Sequence, residues 1–260
     1  MKDSKINELK KNILETAHRI DEGHIASAFS ILDILWVLYD RILYIDPKDL
    51  SSEHRDRFIL SKGHASLGLY VVLAEKLFFD KEVLESFGTY NSKLGGHPDR
   101  NKVAGVEAST GSLGHGMPIA VGIALGLKIK KNSARVFTLI GDGEANEGTI
   151  WESALLASHH GLSQLYCIID HNHSTDRAVG VDSLKNKFQS FGWNVYEIDG
   201  HSHEEIYEVL SQKNMSTKPT AIVAHTTKGK GLKSMENNPE WHHRTPNSDE
   251  LIDFMKELHI

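Results

Sequence analysis

An apolar run that ends in a carboxylate between two glycines sets the frame for this chain. Residues 135–140 read as a buried β-strand, and Gly141, Asp142 and Gly143 follow at once. A helix-like stretch comes next. A second apolar run, Leu165 to Asp170, then delivers Asn172, thirty positions after Asp142. Strand, helix and strand in this order predict a parallel sheet with helices on its faces. Ligands of such sheets sit outside the carboxyl ends of the strands, where Asp142 and Asn172 both fall. Hard divalent cations take oxygen donors of this kind and share them with phosphates. The tripeptide alone reads more simply as a turn. The strand end and the paired Asn172 favour Mg²⁺ and a diphosphate instead.

The remaining segments extend the pattern. Short strands are expected at Arg57–Ser61, Trp193–Ile198 and Pro219–His225. Helical spacing covers 4–20 and Ser30–Leu43, and an apolar helix runs from about Ala65 to Leu77. Further helices are expected over Asp182–Phe191, Glu204–Leu210 and Asp249–Leu258, with Ser202 and Glu205 spaced as a capping box. Two long irregular stretches, 88–116 and 228–244, are rich in Gly, Ser, Asn and His, the profile of functional loops. Gly114, Ala120, Gly122, Ala124 and Gly126 mark a small-residue helix suited to close packing, within the fold or against another chain. No linker, repeat or low-complexity segment interrupts the 260 residues. The expected class is α/β, a single domain over 1–260 with a mostly parallel sheet and helices on both faces.

Composition narrows the function classes. A net charge of -6 argues against nonspecific nucleic-acid binding. No apolar run approaches the roughly twenty residues of a membrane span, and the charged opening residues lack a signal core, so a cytoplasmic protein is expected. Cys167 is the single cysteine and lies in an apolar run, which predicts a buried thiol and excludes an internal disulfide. The sixteen histidines stand out. Several follow glycine (His24, His64, His97, His115), which suggests imidazoles held in turns around one cleft. They are not spaced as i,i+4 pairs or with cysteines, which weighs against zinc. Lys228 and Lys230 among glycines fit either a phosphate contact or a solvated loop.

Neither a dinucleotide fingerprint nor a P-loop occurs. Gly141-Asp142-Gly143 with Asp170-His171-Asn172 instead resembles the thiamine-diphosphate signature. Within that superfamily the chain resembles the N-terminal, pyrophosphate-binding half of transketolase, most of all the split form made of two short subunits. The resemblance runs through Gly23-His24, Arg55–Ala65, Gly96–Asp99, Gly105–Gly116, Phe191–Trp193, Lys228–Gly231, Met235–Asn238 and Trp241-His242.

This resemblance implies specific roles. Asp142, the Asn172 amide oxygen and the Ser174 main-chain carbonyl would hold Mg²⁺ (or Ca²⁺). Gly143, His64 and His242 would contact the diphosphate, and Gly111 and Leu113 the cofactor rings. His24 and His97 would face substrate hydroxyls. Glu147 would sit at a subunit interface. The implied reaction is transfer of a two-carbon ketol unit from a ketose to an aldose, with the thiamine ylid as electron sink. Imidazoles suit it, because they move protons near neutral pH. The glutamate that activates the aminopyrimidine belongs to the family's second, pyrimidine-binding domain, which this chain is expected to lack. A partner subunit carrying it is therefore implied, in an α₂β₂ assembly, with the chain inactive alone.

The chain departs from the family pattern at Ile25–Phe29, at His115, at His171 and over His173–Arg177. These departures line the cofactor and substrate region and point to an unusual sugar in a dedicated pathway. The same signature also permits a 2-oxoacid dehydrogenase E1 α-subunit or a deoxyxylulose-phosphate synthase. His64, His97 and the run Ser109–Gly114 favour transketolase. Two further alternatives are a non-catalytic subunit that binds the cofactor and, more weakly, a nicotinamide-binding domain.

Overall fold

Side chains along the central strands alternate between two apolar cores, and that alternation builds the molecule. The computed structural model describes residues 2–176, 178–212, 214 and 216–260. Its strands are β1 (Arg57–Leu60), β2 (Val136–Gly141), β3 (Leu165–His171), β4 (Asn194–Asp199) and β5 (Thr220–His225). They form one parallel five-stranded sheet in the order β1-β2-β3-β5-β4. Phe137, Leu139, Tyr166, Ile168 and Ile222 enter one core. That core is completed by α1 (Lys2–Ile20), α2 (Ile25–Val37), α3 (Ser66–Glu75), α7 (His203–Ser211) and α8 (Ser248–Glu257). Val136, Ile140, Cys167, Ile169 and Val223 enter the other, with α4 (Gly116–Ile129), α5 (Gly148–His159) and α6 (Leu184–Ser190). Cys167 is fully buried, as its apolar surroundings predict.

All five expected strands are present, displaced by no more than a residue at either end. Helix starts differ more. The second helix begins at Ile25, not Ser30, because nearly every position of α2 is buried and no apolar stripe marks where it starts. A π-helical turn, Leu38–Ile42, completes its span. α6 is shorter than expected and starts where the Ser183 hydroxyl accepts from the Asn186 N–H. The Ser202–Glu205 box forms only in part. Ser202 Oγ accepts from the Glu205 N–H at 3.3 Å, but the Glu205 carboxylate accepts from the Asp199 N–H at 2.9 Å. A complete box sits instead at Asn247 and Glu250. None of the described helices is long and apolar enough to cross a membrane.

Candidate functional site at the carboxyl ends of the strands

β1, β2, β3 and β5 all end on one rim, and the segments after them supply polar side chains to it. Asp142 follows β2, Asn172 follows β3, Lys62 and His64 follow β1, and Lys228 follows β5. A cleft of about 400 Å³ opens there, with Asp142, Gly143, Asn172, Ser174, His64 and His242 among its lining residues. Gly63 permits the turn after β1: a Cβ there would meet the Gly111 backbone nitrogen at 2.8 Å.

Beneath the cleft lies a charged network. Asp170 is fully buried and ion-paired with Lys62, itself buried. It also accepts from the Ser30 hydroxyl at 2.7 Å, from Thr226 Oγ1 and from the Asn172 amide at 2.9 Å. Burial opposes its charge, yet Lys62 and the hydroxyls outweigh burial and hold the carboxyl below its ordinary range. The network fixes Asn172. Its Nδ2 donates to Asp170 and to Ser30 Oγ at 3.0 Å, and its Oδ1 accepts from the Ser174 N–H at 3.1 Å. The amide therefore cannot flip without setting its oxygen against the Asp170 carboxylate.

Asp142 tests whether this rim suits a cation. Oδ1 accepts from the Gly143 N–H at 2.7 Å. Oδ2 is buried and has no hydrogen-bond partner among the described residues. Burial and then the nearby Asp170 charge raise its pKa. A buried, unpaired carboxylate oxygen beside an oriented amide oxygen matches the donor set of a hard divalent cation.

Of the expected histidines, His24, His64 and His242 come together at the cleft, whereas His115 is exposed and bonds locally to the Leu113 carbonyl at 3.0 Å. His24 Nδ1 lies 2.9 Å from the His242 carbonyl, which can only accept, so Nδ1 carries the proton and Nε2 is an acceptor. Lys228 Nζ donates to His242 Nδ1 at 2.9 Å, which leaves His242 Nε2 as the donor. Burial, then Lys228, lowers His242 to about 4. Burial, then Lys62, lowers His64 to about 2. Burial lowers His24 as well. The cleft thus holds neutral imidazoles at neutral pH. Lys228 is lowered to about 8, by burial and then by Lys62.

The other expected residues lie near this centre in different ways. Gly111 and Leu113 line the cleft. His97 is exposed beside Gly111, where a Cβ would come within 3.0 Å of its ring. Glu147 is exposed at the start of α5 and lies outside the cleft lining. Glu144 carries the buried carboxylate of this segment, and sequence reading passed it over. It accepts from Ser61 Oγ, from the Gly114 N–H at 2.8 Å and from the Gly141 N–H at 3.2 Å. Burial raises its pKa against those bonds. Lys62 and Asp170 were also missed. Their one signal was that each stands two positions before a singled-out residue, His64 or Asn172, at a strand end. The loop after Asn172 is described except at Arg177, so the departure expected at Arg177 lies outside the described residues.

Comparison with known proteins places the chain in a family. Residues 1–259 match the family model described as transketolase, thiamine diphosphate binding domain. The chain is 38% identical over 254 residues to one of the subunits of the apulose-4-phosphate transketolase of Actinobacillus succinogenes, covering 96% of this chain and 92% of that protein. It is 37% identical to a 6-deoxy-6-sulfo-D-fructose transketolase subunit of a Clostridium species, covering 88% of this chain and 86% of that one. Among solved structures, transketolase of Campylobacter jejuni superposes with a TM-score of 0.90 at 30% identity. The match covers 99% of this chain but 42% of that one, so the chain spans well under half the length of that transketolase. The chain belongs to the transketolase thiamine diphosphate binding domain family.

Proposed function

We propose that this chain is the diphosphate-binding subunit of a two-subunit, thiamine-diphosphate-dependent transketolase, which moves a two-carbon ketol unit from a ketose or ketose phosphate to an aldose. One observation carries the reading: Asp142 Oδ2 is buried without a hydrogen-bond partner among the described residues, in the same cleft as the oriented Asn172 oxygen. Asp142, Asn172 Oδ1 and the Ser174 carbonyl would hold Mg²⁺ or Ca²⁺. Gly143, His64 and His242 would hold the diphosphate, with Lys228 as a further cation. The Gly143 N–H must then share itself between Asp142 Oδ1 and phosphate. Gly111 and Leu113 would lie against the cofactor rings.

When bound, thiamine diphosphate supplies the electron sink for carbon–carbon cleavage. The chain's own groups then position and move protons. His242 offers Nε2–H as a donor, held in that tautomer by Lys228. His24 offers Nε2 as an acceptor, held by the His242 carbonyl. His24 and His97 would meet substrate hydroxyls at the mouth of the cleft. The names of the two split-type relatives specify a branched-sugar phosphate and a sulfonated ketose. A modified sugar in a dedicated pathway is therefore favoured over the pentose phosphate route.

The second subunit is part of the proposal. It would bring the pyrimidine-binding half and the activating glutamate to an α₂β₂ assembly. Two features support it. Glu147 is exposed at the start of α5, open to a neighbour. Ile119 and Ile129 of α4 and Leu155 and Leu156 of α5 are exposed, and Cβ atoms at Gly122 and Gly126 would meet nothing within 4 Å. Ala120 and Ala124 of α4 are buried in the core, whereas its outward strip of Ile119, Gly122, Gly126 and Ile129 stays open among the described residues, which leaves that strip for another chain.

Calorimetric titration of thiamine diphosphate in the presence of Mg²⁺ and the partner tests the reading. Asp142→Ala is expected to weaken binding by about a hundredfold or more, judged from the losses seen when metal sites are disturbed. Unchanged binding in a variant that unfolds at the wild-type temperature would overturn it.

A further inference from the structure

The geometry points to a second metal site, formed by His171, His173 and His225 and suited to a first-row transition ion such as Zn²⁺. It is separate from the oxygen donors at Asp142 and Asn172. β3 and β5 are parallel neighbours, and His171 and His225 are register partners at their last positions. Adjacent strands therefore deliver two imidazoles side by side. His173 comes two residues later, with φ of 60°, a left-handed conformation that a residue with a Cβ seldom adopts. That turn brings its ring centroid to 4.1 Å from the His171 ring, and the His225 ring lies 5.3 Å from His171. One ring nitrogen from each of the three lies within 4.8 Å of the others. Tetrahedral zinc with bonds of about 2.0–2.1 Å sets its nitrogens roughly 3.4 Å apart. Rotation of two exposed side chains can make up the difference.

The surrounding groups match the pattern of metal-binding imidazoles, which give their second nitrogen to a carboxylate. Asp176 Oδ2 holds His173 Nδ1 at 2.9 Å, and Glu197 Oε1 holds His225 Nε2 at 3.3 Å. His173 Nε2 and His225 Nδ1 are thereby left for a ligand. His171 Nδ1 is buried and without a hydrogen-bond partner among the described residues. A buried ring nitrogen in that condition is uncommon and calls for an occupant. Three imidazoles suit zinc, copper or nickel, whereas the oxygen donors next door suit magnesium. The two sites differ in the chemistry of their ions as well as in position. Sequence spacing argued against zinc because it weighed only local patterns. The third ligand is a strand pairing away.

An ion here would tie the end of β3 to the end of β5 and to the loop carrying Ser174. Asn172 lies between two of its ligands. The ion would therefore brace the oxygen-donor site without belonging to it.

The test titrates Co²⁺, followed by its visible spectrum, and then Zn²⁺, followed by calorimetry, into the full chain with Mg²⁺ saturating. One site with a tetrahedral cobalt spectrum, displaced by zinc, is expected. His225→Ala and His173→Ala should each weaken zinc at least about tenfold. His24→Ala, which thins the other histidine group, should keep the spectrum. Circular dichroism establishes that each variant is folded, and the two ligand variants guard against one failing to fold. Absence of a tetrahedral spectrum would overturn the site, as would unchanged affinity in both ligand variants. Loss of the spectrum in His24→Ala instead would move the metal to the cleft and also overturn it.

Discussion

Lys228 shows how much a residue's meaning depends on what surrounds it. Its setting among glycines fits a phosphate contact and a solvated loop equally. In the fold it is buried, donates to His242 and lines the cleft. Burial and Lys62 bring it to about 8, so it is mainly cationic at pH 7. An anion binds the cationic form, so affinity is full below pH 8 and falls as pH rises through it. Thiamine diphosphate binding by the assembled enzyme should be flat from pH 6.5 to 7.5 and fall by roughly up to tenfold per unit above 8. Lys228→Arg should move that fall to higher pH, as read by calorimetry at fixed Mg²⁺. An unmoved profile would show that another group titrates. Glu144 and Glu147 make the complementary point. Both sit in one acidic segment, and only the fold separates the buried carboxylate from the exposed one.

At the scale of elements, strands were legible and the ties between elements were not. Each strand is a short apolar run bounded by turn residues, and a sheet covered on both faces needs just that pattern. The all-round burial of α2 erased its start. His201 and His203 both grip Asp33 of α2. His201 Nδ1 lies 2.9 Å and His203 Nε2 2.8 Å from its carboxylate. His201 Nε2 also accepts from the Thr227 N–H at 2.9 Å, next to Lys228. One buried carboxylate thus joins α2, the start of α7 and the loop after β5. Such a join between distant segments leaves no local trace in a sequence. Burial opposes the Asp33 charge, but the two histidine hydrogen bonds outweigh it and hold the group at about 2, against 3.8 when free. Its stabilising effect is therefore present above pH 4 and is lost as pH falls from about 4 to 2. Asp33→Asn should cost about 3 kcal/mol in urea unfolding at pH 7. The gap from wild type should narrow below pH 4. A constant gap down to pH 2 would mean the charge does not matter.

At the scale of the whole molecule, the site is a convergence of strand ends and loops. Asp142 and Asn172 were legible because both follow apolar runs at fixed places in a β-α-β unit. His24 and His64 were marked by the glycines before them and His242 by the resemblance, and the fold gathers all three around one cleft. The Asp170–Lys62 pair was illegible, since it links residues 108 apart in the chain. The metal-like histidine triad was hidden for the same reason. The surface also carries information. The exposed apolar residues of α4 and α5, with the open glycines of α4, mark a face left uncovered among the described residues.

The most direct measurement is two-carbon transfer from a ketose donor to an aldose acceptor, with thiamine diphosphate and Mg²⁺ present. It compares this chain alone, the pyrimidine-binding partner alone, and the two mixed. Turnover only in the mixture, abolished by Asp142→Ala in this chain, is the predicted result. Full turnover by this chain alone would contradict it.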